Sequence, residues 1–327
     1  MSLRQSIAPA SWAFVAGSMF LFWRGWLALS GAPGGVGHAV LAEGLVLVGP
    51  AVLVLVALTL VAERIWPAVD RPLTAPGHLQ DSAYLAVYVV LAVPIVTLLG
   101  TGFAVTLLHA APWLTIHPLS AVPRWTLVVA VVVLMDACNW FAHYVNHHVA
   151  SCWRFHALHH SQEEMSILTS FRAHPLVHAS FQIAAVPLLI LGTSSAVPLP
   201  VLVGYVLLST LPHANVDWDF GPLRKVIVSP AYHRLHHHRD DERGVNLGTV
   251  LTLWDQLAGI AEFAERGSVP VATGIRGRPI PVEQAQNVGN PIGLLWHQLC
   301  EPLWRAKAAG QSTGQPNVTD VRAVANG

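Results

Sequence analysis

The sequence is short of charged residues. They make up 11% of its 327 residues, against about 25% in soluble domains. The 18 acidic and 18 basic side chains cancel, so no net field attracts nucleic acid and we expect none as a partner. The low charge, together with an apolar fraction of 53%, excludes a disordered chain and disfavours a soluble globular enzyme.

Cysteine is also scarce, and several cofactor motifs are missing. Cys138, Cys152 and Cys300 form no CxxC pair, so the sequence predicts no disulfide framework and no c-type haem attachment. We find no dinucleotide-binding glycine motif after a strand and no flavin motif. If the chain performs redox chemistry, its electrons therefore come from an external donor.

Long apolar stretches are abundant. A helix that crosses a bilayer needs about 20 mostly apolar residues. We predict spans within residues 45–62, 83–110 and 125–142, a tight or partly re-entrant hairpin over 179–212, and an interface-anchored helix over 11–29. The predicted fold class is all-α, an integral-membrane helical bundle of about four spans plus the short hairpin, with a cytosolic helical cap.

Composition divides the chain into three parts. We predict N-terminal transmembrane helices over 1–124, a core with the hairpin over 125–266, and a Gly/Pro-rich segment over 267–327 with a short interfacial helix and a disordered tail. Basic residues of the short loops fall on one side of the predicted spans, which places the histidine-bearing loops and the C-terminus in the cytosol. The chain has sixteen arginines against two lysines, a ratio typical of a GC-rich bacterial genome. We therefore expect a bacterial inner membrane as its location.

Histidine is over-represented, with 18 residues. Three clusters stand out: HYVNH (His143, His147), HALHH (His156, His159, His160) and HRLHH (His233, His236, His237). Histidines four apart on a helix share a face and can bind one metal ion. Eight imidazoles exceed one tetrahedral site, so we predict a histidine-rich dimetal centre in the cap. Asp136 lies on the same helix face as the first pair and is expected to accept a ring N–H.

The ligand type leaves the metal and the function open, because imidazole suits zinc, copper, iron and nickel. An O₂-dependent di-iron oxygenase acting on an unactivated C–H bond is the leading hypothesis. A membrane zinc hydrolase using His143 and His147 is the alternative, although the pair lacks the intervening glutamate that usually serves as general base. A metal transporter would need polar ligands at mid-membrane depth, whereas these histidines cluster at the ends of the predicted spans.

Four segments carry a family resemblance: DACNWFAHYVNHH, WRFHALHHSQEEMSILTSFRAHP, LPHANVDWDFGPL and SPAYHRLHHHRDDERGVNLGTVLTLWDQLAG. Between about residues 136 and 260 the chain resembles the membrane fatty acid hydroxylase and sterol desaturase superfamily, the His-box di-iron oxygenases. This resemblance implies hydroxylation or desaturation of a membrane lipid with two non-haem iron ions and O₂. It also implies a ferredoxin or cytochrome-type electron donor with its reductase.

The resemblance further implies which residues bind the metal. The implied ligands are His143, His147, His156, His159, His160, His174, His213, His233, His236 and His237. Candidate hydrogen-bond acceptors around them are Asp136, Asn215, Asp217, Asn246 and Asp255. His178 stands where many relatives have an acid, and Arg172 and Arg234 are expected to face lipid phosphates.

Overall fold

A computed structural model describes residues 50–72, 75–88, 110–114, 122–185, 198–239, 244–264, 272–276 and 291–309, together with residues 92, 187 and 280. Within these ranges the chain is helical, without strands, and three isolated β-bridges join its loops. The helices are α1 Pro50–Ile65, α2 His78–Val87, α3 Arg124–His148, α4 Ala150–His160, α5 Pro175–Ser180, α6 Leu199–Thr210, α7 Pro230–His236, α8 Leu253–Ala258 and α9 Pro291–Ala309. Short 3₁₀ turns lie at Pro112–Leu114, Ile167–Phe171, Phe181–Ala185, Leu211–His213 and Gly221–Lys225.

One helix of the described part, α3, is long and apolar enough to cross a membrane, by length and composition. Its 25 residues have a window of mean hydropathy 1.8. The predicted helix over 11–29 and most of the predicted span 83–110 lie outside the described residues. The span predicted over 45–62 corresponds to α1 in its described part, and α6 is one arm of the predicted hairpin.

Helix α1 exposes an apolar stripe. Val54, Leu58, Val61 and Ile65 recur at helical spacing, and each is more than half exposed. An exposed apolar stripe of this kind is expected where lipid or another apolar surface covers it. The stripe therefore agrees with an environment of lipid around this helix.

The histidine-bearing helices begin and end at defined points. Helix α3 ends at His148, and the extended backbone of Val149 (φ −101°, ψ 112°) separates α3 from α4. Ser229 caps α7 by accepting a hydrogen bond from the Tyr232 amide (3.2 Å), and Pro230 occupies the first turn, where its missing N–H and fixed φ are tolerated. These boundaries set the register at which each histidine leaves its helix.

Buried polar side chains tie the helices around the histidines together. Glu63 of α1 accepts hydrogen bonds from the amides of Ile167 (2.7 Å) and Asn215 (3.0 Å). The guanidinium of Arg234, which is 2% exposed, donates to Asn215 Oδ1 (3.2 Å). Arg172 is fully buried against Asp81. The expectation that Arg172 and Arg234 face lipid phosphates is therefore wrong, because both guanidiniums are enclosed among protein acceptors.

The C-terminal helix α9 packs against α2 through an amide pair. Gln298 is fully buried; its Oε1 accepts from Gln80 Nε2 (2.8 Å) and from the Tyr84 hydroxyl (2.9 Å). The sequence predicts a short interfacial helix over 293–304, and the described helix includes these residues. Because an amide inside protein must be hydrogen-bonded, Gln298 fixes which face of α9 turns toward α2.

Candidate metal centre

Nine histidines converge into two groups, and within each group the ligand atoms lie within 4.8 Å of one another. The five-histidine group contains His143, His147, His156, His160 and His236. The four-histidine group contains His159, His213, His233 and His237. Eight of the nine are buried and His147 is partly exposed. The structure thus brings together nine of the ten predicted ligands in an arrangement suited to two metal ions.

Each HxxHH cluster divides between the two groups. His156 and His160 belong to the five-histidine group, whereas His159 belongs to the other. In the third cluster His233 and His237 join the four-histidine group and His236 crosses to the other. Side chains four apart share a helix face, while adjacent residues point about 100° apart. One short helix can therefore supply ligands to both sites.

Backbone carbonyls orient three of the rings. His143 Nδ1 lies 2.9 Å from the Leu247 carbonyl oxygen, and His236 Nδ1 lies 2.9 Å from that of Val245. In the four-histidine group, His159 Nδ1 lies 3.2 Å from the Arg172 carbonyl oxygen. A carbonyl can only accept, so each Nδ1 carries the proton and the Nε2 lone pair is left for a metal.

The donor set fits a pair of metal ions. His143 Nε2 lies 3.1 Å from His156 Nε2, and His213 Nε2 lies 3.0 Å from the Nε2 atoms of both His159 and His233. Within the described part of the chain, buried imidazole nitrogens without a hydrogen-bond partner occur on His147, His156, His160, His213, His233, His236 and His237. Buried polar atoms in native proteins are normally paired. A metal ion in each group would satisfy the lone pairs that face it.

The rings are held in the neutral form that binds metals. Burial lowers the pKa of His213 to about 3, and burial together with the neighbouring imidazoles lowers the pKa values of His156 and His160 well below their usual range. The same causes lower the pKa values of His159, His233, His236 and His237. Near neutral pH these rings therefore offer free lone pairs.

Comparison with known proteins agrees with this geometry. Residues 128–260 match the model of the fatty acid hydroxylase family. The matched range includes both groups of histidines, and the resemblance drawn from the sequence is confirmed.

Two relatives of the chain carry names of lipid-modifying enzymes. The chain is 35% identical over 178 residues to the ornithine lipid hydroxylase OlsE of Rhizobium tropici, covering 51% of this chain and 52% of that protein. It is 28% identical over 179 residues to the alkylglycerol monooxygenase of Homo sapiens, covering 54% of this chain and 37% of that protein. The chain thus spans about half the length of the first relative and less of the second. No solved structure matches the chain.

The tenth predicted ligand, His174, lies outside both groups. It caps α5: its Nδ1 accepts a hydrogen bond from the Leu176 amide (3.1 Å), and its Nε2 lies 3.2 Å from the Leu299 carbonyl oxygen. Both ring nitrogens therefore have protein partners, and the structure does not bring this residue to the metal centre. His178 also lies outside, with its ring 4.6 Å from that of Tyr88.

Two buried aspartates bind backbone amides of the loop at residues 247–251 instead of the ring of a histidine ligand. Asp255 accepts hydrogen bonds from the amides of Leu247 (3.0 Å) and Gly248 (2.7 Å). Asp136 accepts from the amides of Val250 and Leu251, both at 3.0 Å. The prediction that Asp136 accepts a histidine N–H is wrong, because its two oxygens are engaged by this loop and by Trp254 and Tyr205.

The other predicted acceptors also support backbone. Asn246 has a positive φ of 57° and bonds the carbonyls of Tyr232 and Glu262. Asn215 bonds Val69 and Arg234. Asp217 is exposed. Within the described residues none of the five bonds a ligand ring; the carbonyls of Leu247, Val245 and Arg172 bond the rings instead. Sequence reasoning missed them because a backbone oxygen has no residue signature.

Replacing Asp255 by asparagine tests the role of this loop at the candidate metal centre. The amides of Leu247 and Gly248 would lose a charged acceptor, and the Leu247 carbonyl that orients His143 would move. We expect one of the two bound ions to bind about 10–100-fold more weakly, measured by competition with a chromogenic chelator.

The matched control is Asp219→Asn, at an acid that bonds Arg224 and the Gly221 amide. This control is expected to keep the affinity of both ions. Equal chelator resistance in Asp255→Asn and Asp219→Asn would contradict the assignment.

Proposed function

We propose that the chain is an O₂-dependent di-iron oxygenase of the membrane that hydroxylates a C–H bond of a lipid. The observation that carries the proposal is the pair of histidine groups within the segment that matches the fatty acid hydroxylase family. The ten-ligand set expected from the sequence is reduced to the nine histidines of these groups.

The composition of the groups supports oxidative rather than hydrolytic chemistry. Both groups consist of histidine alone in the described part of the chain. A zinc hydrolase of the HxxxH type relies on a glutamate beside its ligands as general base, and no carboxylate belongs to either group. Within the described residues, the zinc-hydrolase alternative therefore lacks a carboxylate base among its ligands.

Iron would supply the activation of O₂, and the protein's own residues prepare the place for it. The nine neutral imidazoles would hold the two ions through their ring nitrogens. The carbonyls of Leu247, Val245 and Arg172 hold three rings with Nε2 toward the centre. The burial of the histidines keeps bulk water away, which suppresses side reactions of an oxidant.

The position of the centre supports a lipid substrate. His143 and His147 lie in the last turns of α3, the apolar helix able to cross a membrane. The hydrocarbon chain of a lipid that lies beside α3 in the bilayer would meet the centre at the end of this helix. We propose hydroxylation rather than desaturation, because the named relatives are a hydroxylase and a monooxygenase. Polar lipids with fatty acyl or alkyl chains are the proposed substrate class.

The cellular setting follows from the sequence. We propose a bacterial inner membrane with the histidine clusters and the C-terminus in the cytosol, and a ferredoxin or cytochrome-type donor with its reductase. The division into 1–124, 125–266 and 267–327 is retained as part of the proposal.

The test begins with metal content and ends with labelled oxygen. Protein from iron-replete cells, purified in detergent, is expected to hold about two irons per chain, as two histidine groups require. The iron-loaded protein is then mixed with ornithine lipid, with reduced [2Fe–2S] ferredoxin and its reductase, and with ¹⁸O₂. We expect one ¹⁸O atom in the lipid product, detected by mass spectrometry.

Two results would count against this function. One is a protein that takes up zinc but no iron even after anaerobic reconstitution with ferrous ion. The other is an iron-loaded protein that consumes no O₂ with the reduced ferredoxin and any of the tested acyl or alkyl lipids.

A further inference from the structure

Trp153 lies against the ligands of the five-histidine group. Its ring centroid is 5.1 Å from that of His147, 5.4 Å from that of His160 and 6.2 Å from that of His156. Among the described residues, it is the one tryptophan or tyrosine whose ring packs against rings of the nine histidines. Phe181 contacts His143, but a phenyl ring is far harder to oxidise than an indole.

Trp153 also reaches toward the surface. It is partly exposed, in the first turn of α4, where Ala150 and Ser151 are exposed. The four-histidine group is buried throughout and has no such aromatic neighbour among the described residues. Trp153 therefore stands between one metal position and the protein surface.

We propose that Trp153 is a protective electron donor, which is oxidised when the centre activates O₂ in the absence of a lipid substrate. The proposal rests on the proposed function, which supplies the oxidant. Trp153 gives one electron to the high-potential oxidant formed from O₂ at the irons, and its Nε1 proton passes to water. The oxidant gains one electron, and a neutral indolyl radical remains.

An external reductant completes the cycle. A one-electron donor at the surface, such as the reduced ferredoxin, returns one electron, and the radical takes up one proton at Nε1. The ring is restored and the donor is oxidised by one electron. This route would spare the imidazole ligands, which are the next groups within reach of the oxidant, and it fits the general need of such sites to suppress competing reactions.

The test follows the radical rather than the activity. Iron-loaded protein is reduced anaerobically, mixed with O₂ in the absence of lipid, and freeze-quenched for electron paramagnetic resonance. Wild type is expected to show an indolyl radical, and Trp153→Phe is expected to lose that signal. The control Trp113→Phe removes a tryptophan that is 79% exposed and is expected to retain it.

A second measurement needs no variant. After repeated cycles without lipid, tryptic peptides of the wild type are expected to carry oxidised Trp153 in preference to the other tryptophans, of which the chain has 12 in all. A signal that persists in Trp153→Phe, or O₂-dependent oxidation of the iron with no radical in wild type, would overturn this inference alone. Ferrous protein that does not react with O₂ at all would overturn the proposed function as well.

Discussion

Removing one histidine from either group is expected to remove about one metal ion per chain and to abolish lipid oxidation. The matched variants are His156→Ala in the five-histidine group and His213→Ala in the four-histidine group. In each variant the other group keeps its full ligand set, so one ion should remain. Elemental analysis of the purified variants gives the ratio of metal to protein, and the labelled-oxygen assay gives the activity.

The expected loss of activity rests on the proposal that both ions take part in the reaction. His143 and His156, whose Nε2 atoms are 3.1 Å apart, face one centre, and His213 faces His159 and His233 in the other. His156 and His159 leave the same short helix, so the two centres are neighbours. If both ions are needed to activate O₂, emptying either one stops the reaction even though the other group remains intact.

Two further histidines serve as controls because they lie outside both groups. His148 is exposed and bonds the Tyr144 carbonyl; His174 caps α5 with both ring nitrogens occupied. His148→Ala and His174→Ala are expected to keep about two ions per chain. A loss of metal in His174→Ala equal to that in His213→Ala would return His174 to the ligand set. Two retained ions in either His156→Ala or His213→Ala would refute the assignment of that group.

The division of the ligands into two groups follows in part from their spacing in the sequence. The four-residue spacing of His143 and His147 predicts a shared face, and both belong to the five-histidine group. The same rule, applied within HALHH, separates His159 from the pair that flanks it, because adjacent helical residues diverge by about 100°. It does not say which pair joins which centre, since that depends on how α3, α4 and α7 pack.

The support around the ligands could not be predicted from residue types. Acidic side chains were expected to touch the rings, but Asp136 and Asp255 instead bind amides of residues 247–251. Glycine is required at position 248 of that loop. A Cβ there would lie 2.7 Å from the Leu251 carbonyl oxygen and 2.9 Å from Asp255 Oδ2. Asn246 and Gly248 lie in a segment that carries the family resemblance, yet their role depends on the tertiary contact between the loop and Asp136 of α3.

Arg172 is the clearest case in which tertiary structure reverses a sequence expectation. A lone arginine near apolar spans is typical of contact with lipid phosphates. Here the guanidinium is fully buried, bonds Asp81 at 2.8 Å and donates from Nε to the Leu158 carbonyl (3.3 Å) and the Ser161 hydroxyl (3.2 Å). Its own carbonyl oxygen accepts from His159. Arg172 thus joins Asp81 of α2 to the end of α4, where its carbonyl also orients the ligand His159.

Replacing Asp81 by alanine is therefore expected to lower the free energy of unfolding by about 3–5 kcal/mol, the range for breaking a buried ion pair. The carboxylate also accepts from Gln162 (2.7 Å) and Thr169 (3.1 Å). Its loss would leave the Arg172 charge buried, and Arg172 Nη2 already has no hydrogen-bond partner among the described residues. Denaturant unfolding of metal-free protein in detergent measures the effect without a contribution from metal binding.

The matched control is Asp219→Ala, which breaks the partly exposed pair Arg224–Asp219 (3.2 Å, side chains 31% and 27% exposed). Because exposed pairs contribute about 0–1 kcal/mol, this variant should unfold almost as wild type does. The double variant Asp81→Leu with Arg172→Met removes both charges and should recover much of the loss, since apolar replacements of a buried pair are often neutral. If Asp81→Ala were no less stable than Asp219→Ala, the ion pair would not hold Arg172 in place. The position of its carbonyl beside His159 would then have to come from the backbone of residues 171–174.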